Sequence, residues 1–155
     1  MSSPTTYSAS DEVPYQPDWL RTYVNTYNEL HAGNLDRLAE IYQDNVVFVD
    51  PVHKIEGLNQ LQDYFNNLYL NMNQCQFVIT NTVANGHQAA IYWTMTFSHK
   101  KIKSGQDVVV EGHSLLKETE GKVVYQRDYF DVSSMVYEHV PIIGSIIKAI
   151  KSRIG

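Results

Sequence analysis

The feature that most constrains this chain is a change of hydrophobic period near residue 74. Before it, apolar positions recur at three and four: Leu20, Tyr23, Val24, Tyr27, Leu30 and His31; then Leu35, Leu38, Ile41 and Tyr42; then Leu58, Leu61, Tyr64, Phe65, Leu68, Tyr69 and Met72. That spacing lines one face of a helix, so three helices are predicted. Asp18 is placed to cap the first, Gly33 to end it and Asn34 to cap the second. After Gln74 the period drops to two through residues 76–79, 89–97, 108–110, 113–116 and 123–132, with turns signalled by Asn85-Gly86, Ser104-Gly105 and Glu120-Gly121. A meander of three or four long antiparallel strands follows from that alternation. One strand interrupts the helical half, Asn45-Val46-Val47-Phe48-Val49-Asp50, and Pro51 stops it. The expected fold is α+β, with three N-terminal helices packed on a strongly curved antiparallel sheet that forms a cone with an internal pocket.

At 155 residues the chain suits one domain, taken as residues 18–155 after a Pro- and Ser-rich tail over 1–17. Residues 140–153 read as a C-terminal amphipathic helix with an Ile face and basic end, docked on the body or a second subunit rather than on a membrane. Twelve Lys and Arg against seventeen Asp and Glu leave a net charge of -5, which argues against a nucleic-acid partner. With Cys75 alone there is no internal disulfide, and the first residues show no signal peptide, so a cytoplasmic location is expected. The six histidines are dispersed, with no HExxH, Walker or Rossmann pattern, so neither metal nor cofactor is expected.

The segment Val49-Asp50-Pro51-Val52, with Ala32-Gly33-Asn34-Leu35-Asp36 upstream and Gly121-Lys122-Val123-Val124 downstream, resembles the nuclear transport factor 2-like superfamily. Within it the chain is most similar to the SnoaL-like polyketide cyclases and the delta-5-3-ketosteroid isomerases, over roughly residues 18–132. The resemblance implies cofactor-independent proton transfer beside a carbonyl on an apolar, polycyclic molecule, and a homodimer formed through the outer sheet face. It implies that Asp50, matching the Asp-Pro-Val of the isomerases, is the general base, with a pKa raised by its apolar pocket. Read without the resemblance, Asp50 is a turn residue whose carboxylate accepts nearby backbone N–H groups.

Two isomerase positions differ. Counted back from Gly121, the oxyanion-binding strand aspartate is replaced by His113, and counted back from Gly33, the helix tyrosine falls on Thr26, with Tyr23 and Tyr27 close by. If His113 faces inward, alternation along the last strand puts Gln126, Asp128 and Phe130 inward and Arg127 and Tyr129 outward. Asp128 would then orient His113, giving a catalytic set of Asp50, His113 and Asp128. A hydrogen-bonded core histidine and a strand-edge ion pair are the plainer readings of His113 and Asp128. The expected pocket lining is Tyr23, Thr26, Tyr27, Phe65, Tyr92, Trp93, Gln126 and Phe130. Arg127 beside Asp128 is superficially similar to limonene epoxide hydrolases, but neighbouring strand residues point to opposite faces. A non-catalytic ligand-binding or dimeric interaction module is the alternative function.

Overall fold

The computed structural model describes residues 15–100 and 103–132. The expected tail up to residue 14 and the C-terminal helix at 140–153 lie outside these residues.

The three apolar periodicities form helices, with ends that differ from expectation. α1 spans Asp18–Asn28 and buries Leu20, Tyr23, Thr26 and Tyr27. Pro17, not Asp18, stands at its N-cap, and Asp18 sits inside the first turn, where it pairs with Arg21. The helix ends before Gly33 because Asn34 claims the turn: its amide donates to the Glu29 carbonyl at 3.0 Å while its oxygen accepts from the His31 N–H at 2.7 Å. The second helix shrinks to a 3-10 turn over Leu35–Arg37 and one α-turn, α2, at Leu38–Ile41. Tyr42 already belongs to β1, Tyr42–Val49. After a tight turn the short β2, Lys54–Glu56, folds back antiparallel on β1. α3, Leu58–Leu70, then buries Leu58, Leu61, Phe65 and Tyr69.

The period-two half gives β3 (Gln74–Asn85), β4 (Gln88–Ser98), β5 (Val108–Thr119) and β6 (Lys122–Phe130), an antiparallel meander. The sheet has six strands in the order β2-β1-β6-β5-β4-β3. It is mixed rather than antiparallel throughout, because β1 lies parallel to β6. No hairpin joins those two strands; α3 and four strands intervene, so local turn chemistry does not dictate their relative direction. The sheet is open, with β2 and β3 at its edges.

The helices cover one face, where Ile91, Trp93, Met95 and Phe97 of β4 are buried against Tyr27, Phe48, Phe65 and Phe77. The rings meet edge to face: Tyr27 with Phe65 at 6.1 Å and with Phe77 at 5.4 Å, and Phe77 with Trp93 at 5.8 Å. Such pairs contribute about 0.5–1.5 kcal/mol each beyond their burial. Among the described residues no helix is long and apolar enough to cross a membrane.

Candidate active site

A cavity opens between the helices and the inner sheet face, lined by Tyr27, Phe48, Tyr64, Phe65, Leu68, Phe77, Trp93, Met95, Asp128 and Phe130. Its empty volume is about 420 Å³ counted out to the mouth, but the centre of a water-sized sphere fits in only about 50 Å³. That is room for on the order of four waters, so the deep part is a slot.

One carboxyl stands in this apolar slot. Asp128 Oδ1 accepts the Ser114 hydroxyl at 2.5 Å and the Gln126 amide at 2.8 Å. Both donors have their direction fixed from behind. The Trp93 indole N–H donates to Ser114 Oγ at 2.8 Å, which turns the serine proton toward Asp128. The Gln126 Oε1 accepts the hydroxyls of Tyr23 at 2.9 Å and Tyr42 at 2.5 Å, which leaves its amide N–H for Asp128. Asp128 Oδ2 takes no hydrogen bond among the described residues, and Asp128 is one of the residues that line the cavity. Burial raises the Asp128 pKa to about 7; the Ser114 and Gln126 hydrogen bonds pull the other way, and the charge of Asp50 adds slightly to the rise. At neutral pH this acid therefore stands between its two forms.

Asp50 lies just past the end of β1 and does not line the cavity. Its Oδ1 accepts the backbone N–H groups of Val52 at 2.7 Å and His53 at 2.6 Å, the turn geometry that an Asp before Pro51 favours. Its Oδ2 accepts the Tyr64 hydroxyl at 2.9 Å and faces His53 Nδ1 at 3.1 Å. The expected rise in pKa is reversed. Burial does push it up, but the bonds from His53 and from the backbone N–H groups stabilise the carboxylate more, so the net shift is downward. The same contact raises the pKa of His53.

His113 is displaced from its expected place. It lies on the outer, exposed face, stacked on Tyr129 at 4.9 Å and near Tyr92 at 5.8 Å. Alternation along β5, with Ser114, Leu116 and Glu118 buried, turns His113 outward, and a bulge on β6 sets which β5 residue meets Asp128. A gap-free count from the Glu120-Gly121 turn, where Thr119 pairs with Lys122, puts His113 opposite Asp128. The register slips between Lys117 and Glu118, where Val124 is the extra residue on β6, so Ser114 stands opposite Asp128 and His113 opposite Tyr129. The hydroxyl beside Asp128 thus comes from the residue after the one the count chose.

Of the other expected lining residues, Tyr27, Phe65, Trp93 and Phe130 line the cavity. Tyr23 and Gln126 lie behind it in the buried network, and Thr26 is buried in α1. Tyr92 faces outward beside His113. Sequence reasoning missed Ser114, Tyr64 and His53 as site residues. Tyr64 and His53 carry no local mark of partnership with Asp50, whereas the bulge that selects Ser114 exists only in the paired sheet. Among the described residues no cluster of three His, Cys, Asp or Glu side chains is grouped to hold a metal ion.

Residues 20–126 match the family model of the SnoaL-like domain. A search of the curated proteins found no match. Solved structures agree in fold. A protein from Jannaschia sp. CCS1 described as a SnoaL-like polyketide cyclase is 18% identical, with a TM-score of 0.70 over 83% of this chain and 96% of that one. One from Shewanella putrefaciens CN-32 with the same description is 17% identical, with a TM-score of 0.67 over 80% and 97%. A protein with a ketosteroid isomerase-like fold from Catenulispora acidiphila, solved with trimethylamine, is 15% identical, with a TM-score of 0.68 over 80% and 93%.

Proposed function

Because the chain belongs to the SnoaL-like domain family, whose fold here encloses an apolar slot, we propose that it catalyses cofactor-independent proton transfer beside a carbonyl of an apolar small molecule. Isomerisation and intramolecular cyclisation both fit, and a polyketide- or steroid-like ligand would insert a flat end into the slot. One observation carries the reading: Asp128 lines an apolar cavity and, among the described residues, keeps one carboxyl oxygen free of hydrogen bonds, while burial raises its pKa to about 7. A carboxyl so placed takes a proton in one step and returns it in the next at neutral pH. In the acid form Oδ2–H donates to a carbonyl oxygen as negative charge develops there; in the ionised form Oδ2 removes a proton from the adjacent carbon. Asp50, bound to its own turn and to Tyr64, acts from behind the cavity wall rather than on the ligand.

The test is hydrogen–deuterium exchange at the carbon next to the carbonyl, followed by mass spectrometry in D2O over a panel of flat aryl and polycyclic ketones. Wild-type protein is expected to accelerate exchange in at least one of them, and Asp128→Asn to slow it by about 100-fold. Exchange that survives Asp128→Asn sinks the assignment. A small molecule retained by the purified protein and released unchanged, with no exchange in any ketone, favours the binding-module alternative.

The outer face supports a second reading, a homodimer. Val109, Tyr92 and Tyr129 are 57%, 46% and 40% exposed on adjoining strands, an apolar surface that pairing with another copy would cover. Val109→Glu with Tyr129→Glu is expected to halve the mass measured by light scattering while leaving the fold intact. A wild-type protein that is monomeric at high micromolar concentration removes this reading.

A further inference from the structure

Asp128 faces a slot whose other walls are largely aromatic and aliphatic, so a ligand that fills the slot also seals it from water. A net proton entering or leaving then needs a route through the wall. The polar lining groups differ in where their hydrogen bonds lead. Trp93 ties back to Asp128 through Ser114, and Tyr27 stacks on Tyr23 inside the core at 5.2 Å. Tyr64 alone among them leads outward. Its hydroxyl reaches Asp50 Oδ2 at 2.9 Å, Oδ2 reaches His53 Nδ1 at 3.1 Å, and the His53 side chain is 41% exposed where that of Asp50 is 3%.

We propose that Tyr64, Asp50 and His53 form a proton relay between the sealed cavity and bulk water, with Tyr64 at the cavity end and His53 at the solvent end. The turn is built for it. Backbone N–H groups of Val52 and His53 occupy Oδ1, and the Asp50 N–H closes the loop onto the His53 carbonyl at 3.0 Å. His53 Nδ1 lies 3.2 Å from Oδ1 and 3.1 Å from Oδ2, and Oδ2 is the oxygen it shares with the Tyr64 phenol. His53 also packs edge-on against the Tyr64 ring at 5.4 Å, which keeps the three groups in line.

Inward, the imidazolium of His53 gives its Nδ1 proton to Asp50 Oδ2. That oxygen protonates Tyr64 Oη as the phenol turns its own O–H to an acceptor in the cavity. One N–H bond has broken, one bond to hydrogen has formed on the acceptor, Asp50 is again a carboxylate and His53 is neutral; water then recharges the exposed ring. Outward transfer is the reverse. Asp50 and His53 act through Tyr64 and never touch the ligand.

This inference rests on the proton-transfer reading, and imidazole rescue separates the two. The same exchange assay is run on His53→Ala and on His53→Gln, which keeps an N–H for Asp50 but cannot shuttle. Both are expected to lose about tenfold in kcat at unchanged KM, and added imidazole is expected to restore His53→Ala saturably. Wild-type rates in either variant, or a loss that imidazole does not repair, overturn the relay while Asp128→Asn still reports on the cavity chemistry. If the wild-type protein exchanges no ketone, the proton-transfer reading falls, and the relay is judged by NMR on exchange of the Tyr64 hydroxyl proton with water. Slower exchange in His53→Ala, recovered by imidazole, supports it; equal rates overturn it.

Discussion

Asp128→Asn is expected to resist urea better than the wild-type protein at pH 8 and to lose that advantage at pH 5. The native carboxyl binds its proton with a pKa of about 7, against 3.8 for the exposed side chain. Below both values the two states are equally protonated and Asp128 contributes no pH dependence. Between them the unfolded chain has released the proton that the native protein keeps, so stability falls as pH rises; above about 7 it is level again. The full cost at pH 8 is on the order of 4 kcal/mol. Asparagine carries no charge at any of these pH values, and its oxygen still accepts from Ser114 and Gln126. Its amide N–H groups take the place of Oδ2 in the cavity, which offsets part of the gain. Between pH 5 and pH 8 the difference between the two proteins should therefore change by about 2–3 kcal/mol in favour of the variant. Parallel stability curves would mean that Asp128 is not held protonated by its burial.

Asp50 has the opposite sign. Its lowered pKa stabilises the fold above the ordinary carboxylate range and that contribution is lost as pH falls through the lowered value. Together the two carboxyls favour maximal stability on the acid side of neutrality, whereas the proposed activity needs Asp128 near its midpoint. A protein that works at pH 7 with this cavity sits on the falling limb of its own stability curve.

What was legible in the sequence follows from the range of the forces involved. The three helical faces, the Asn85-Gly86 hairpin and the inward parity of Gln126, Asp128 and Phe130 are set by residues a few positions apart, and all of them hold in the structure. The parallel contact of β1 with β6 and the three-residue β2 depend on chain ends meeting across the fold, and neither leaves a period in the sequence. The reassignment of His113 is a sharper case. The alternation of β6 past its bulge is as expected, but the inward placing of His113 is not: on β5 the buried positions are Ser114, Leu116 and Glu118, and the unpaired Val124 of β6 sets Ser114 rather than His113 opposite Asp128. Asp50 shows the same limit in electrostatics. The turn residues that place it are local, yet the direction of its pKa is decided by how the His53 ring and the Val52 and His53 backbone N–H groups fold onto it against the cost of burial, a balance that no residue pattern records.

Gly112→Val is expected to destabilise the protein by about 3 kcal/mol, at the upper end for overpacking, and to close the slot. Gly112 sits on β5 between Trp93 of β4 and Phe130 of β6. A side-chain carbon there would stand 2.5 Å from both Trp93 Cη2 and Cζ2 and 2.9 Å from the Tyr129 carbonyl oxygen. The indole lies over the glycine because nothing else is there, and that position is what lets its N–H reach Ser114 and so orient the hydroxyl beside Asp128. Displacing the ring costs packing against Phe77 and Phe130 and breaks the donor chain to the carboxyl. The loss should appear in urea unfolding, together with a red shift of tryptophan fluorescence as Trp93 moves toward water. Trp93→Leu removes the atoms that clash, so in that background the same glycine substitution should cost distinctly less, by at least 1 kcal/mol in a double-mutant cycle. An additive pair would show that the glycine is required by the Tyr129 backbone, and that the indole does not depend on it for its place over the slot.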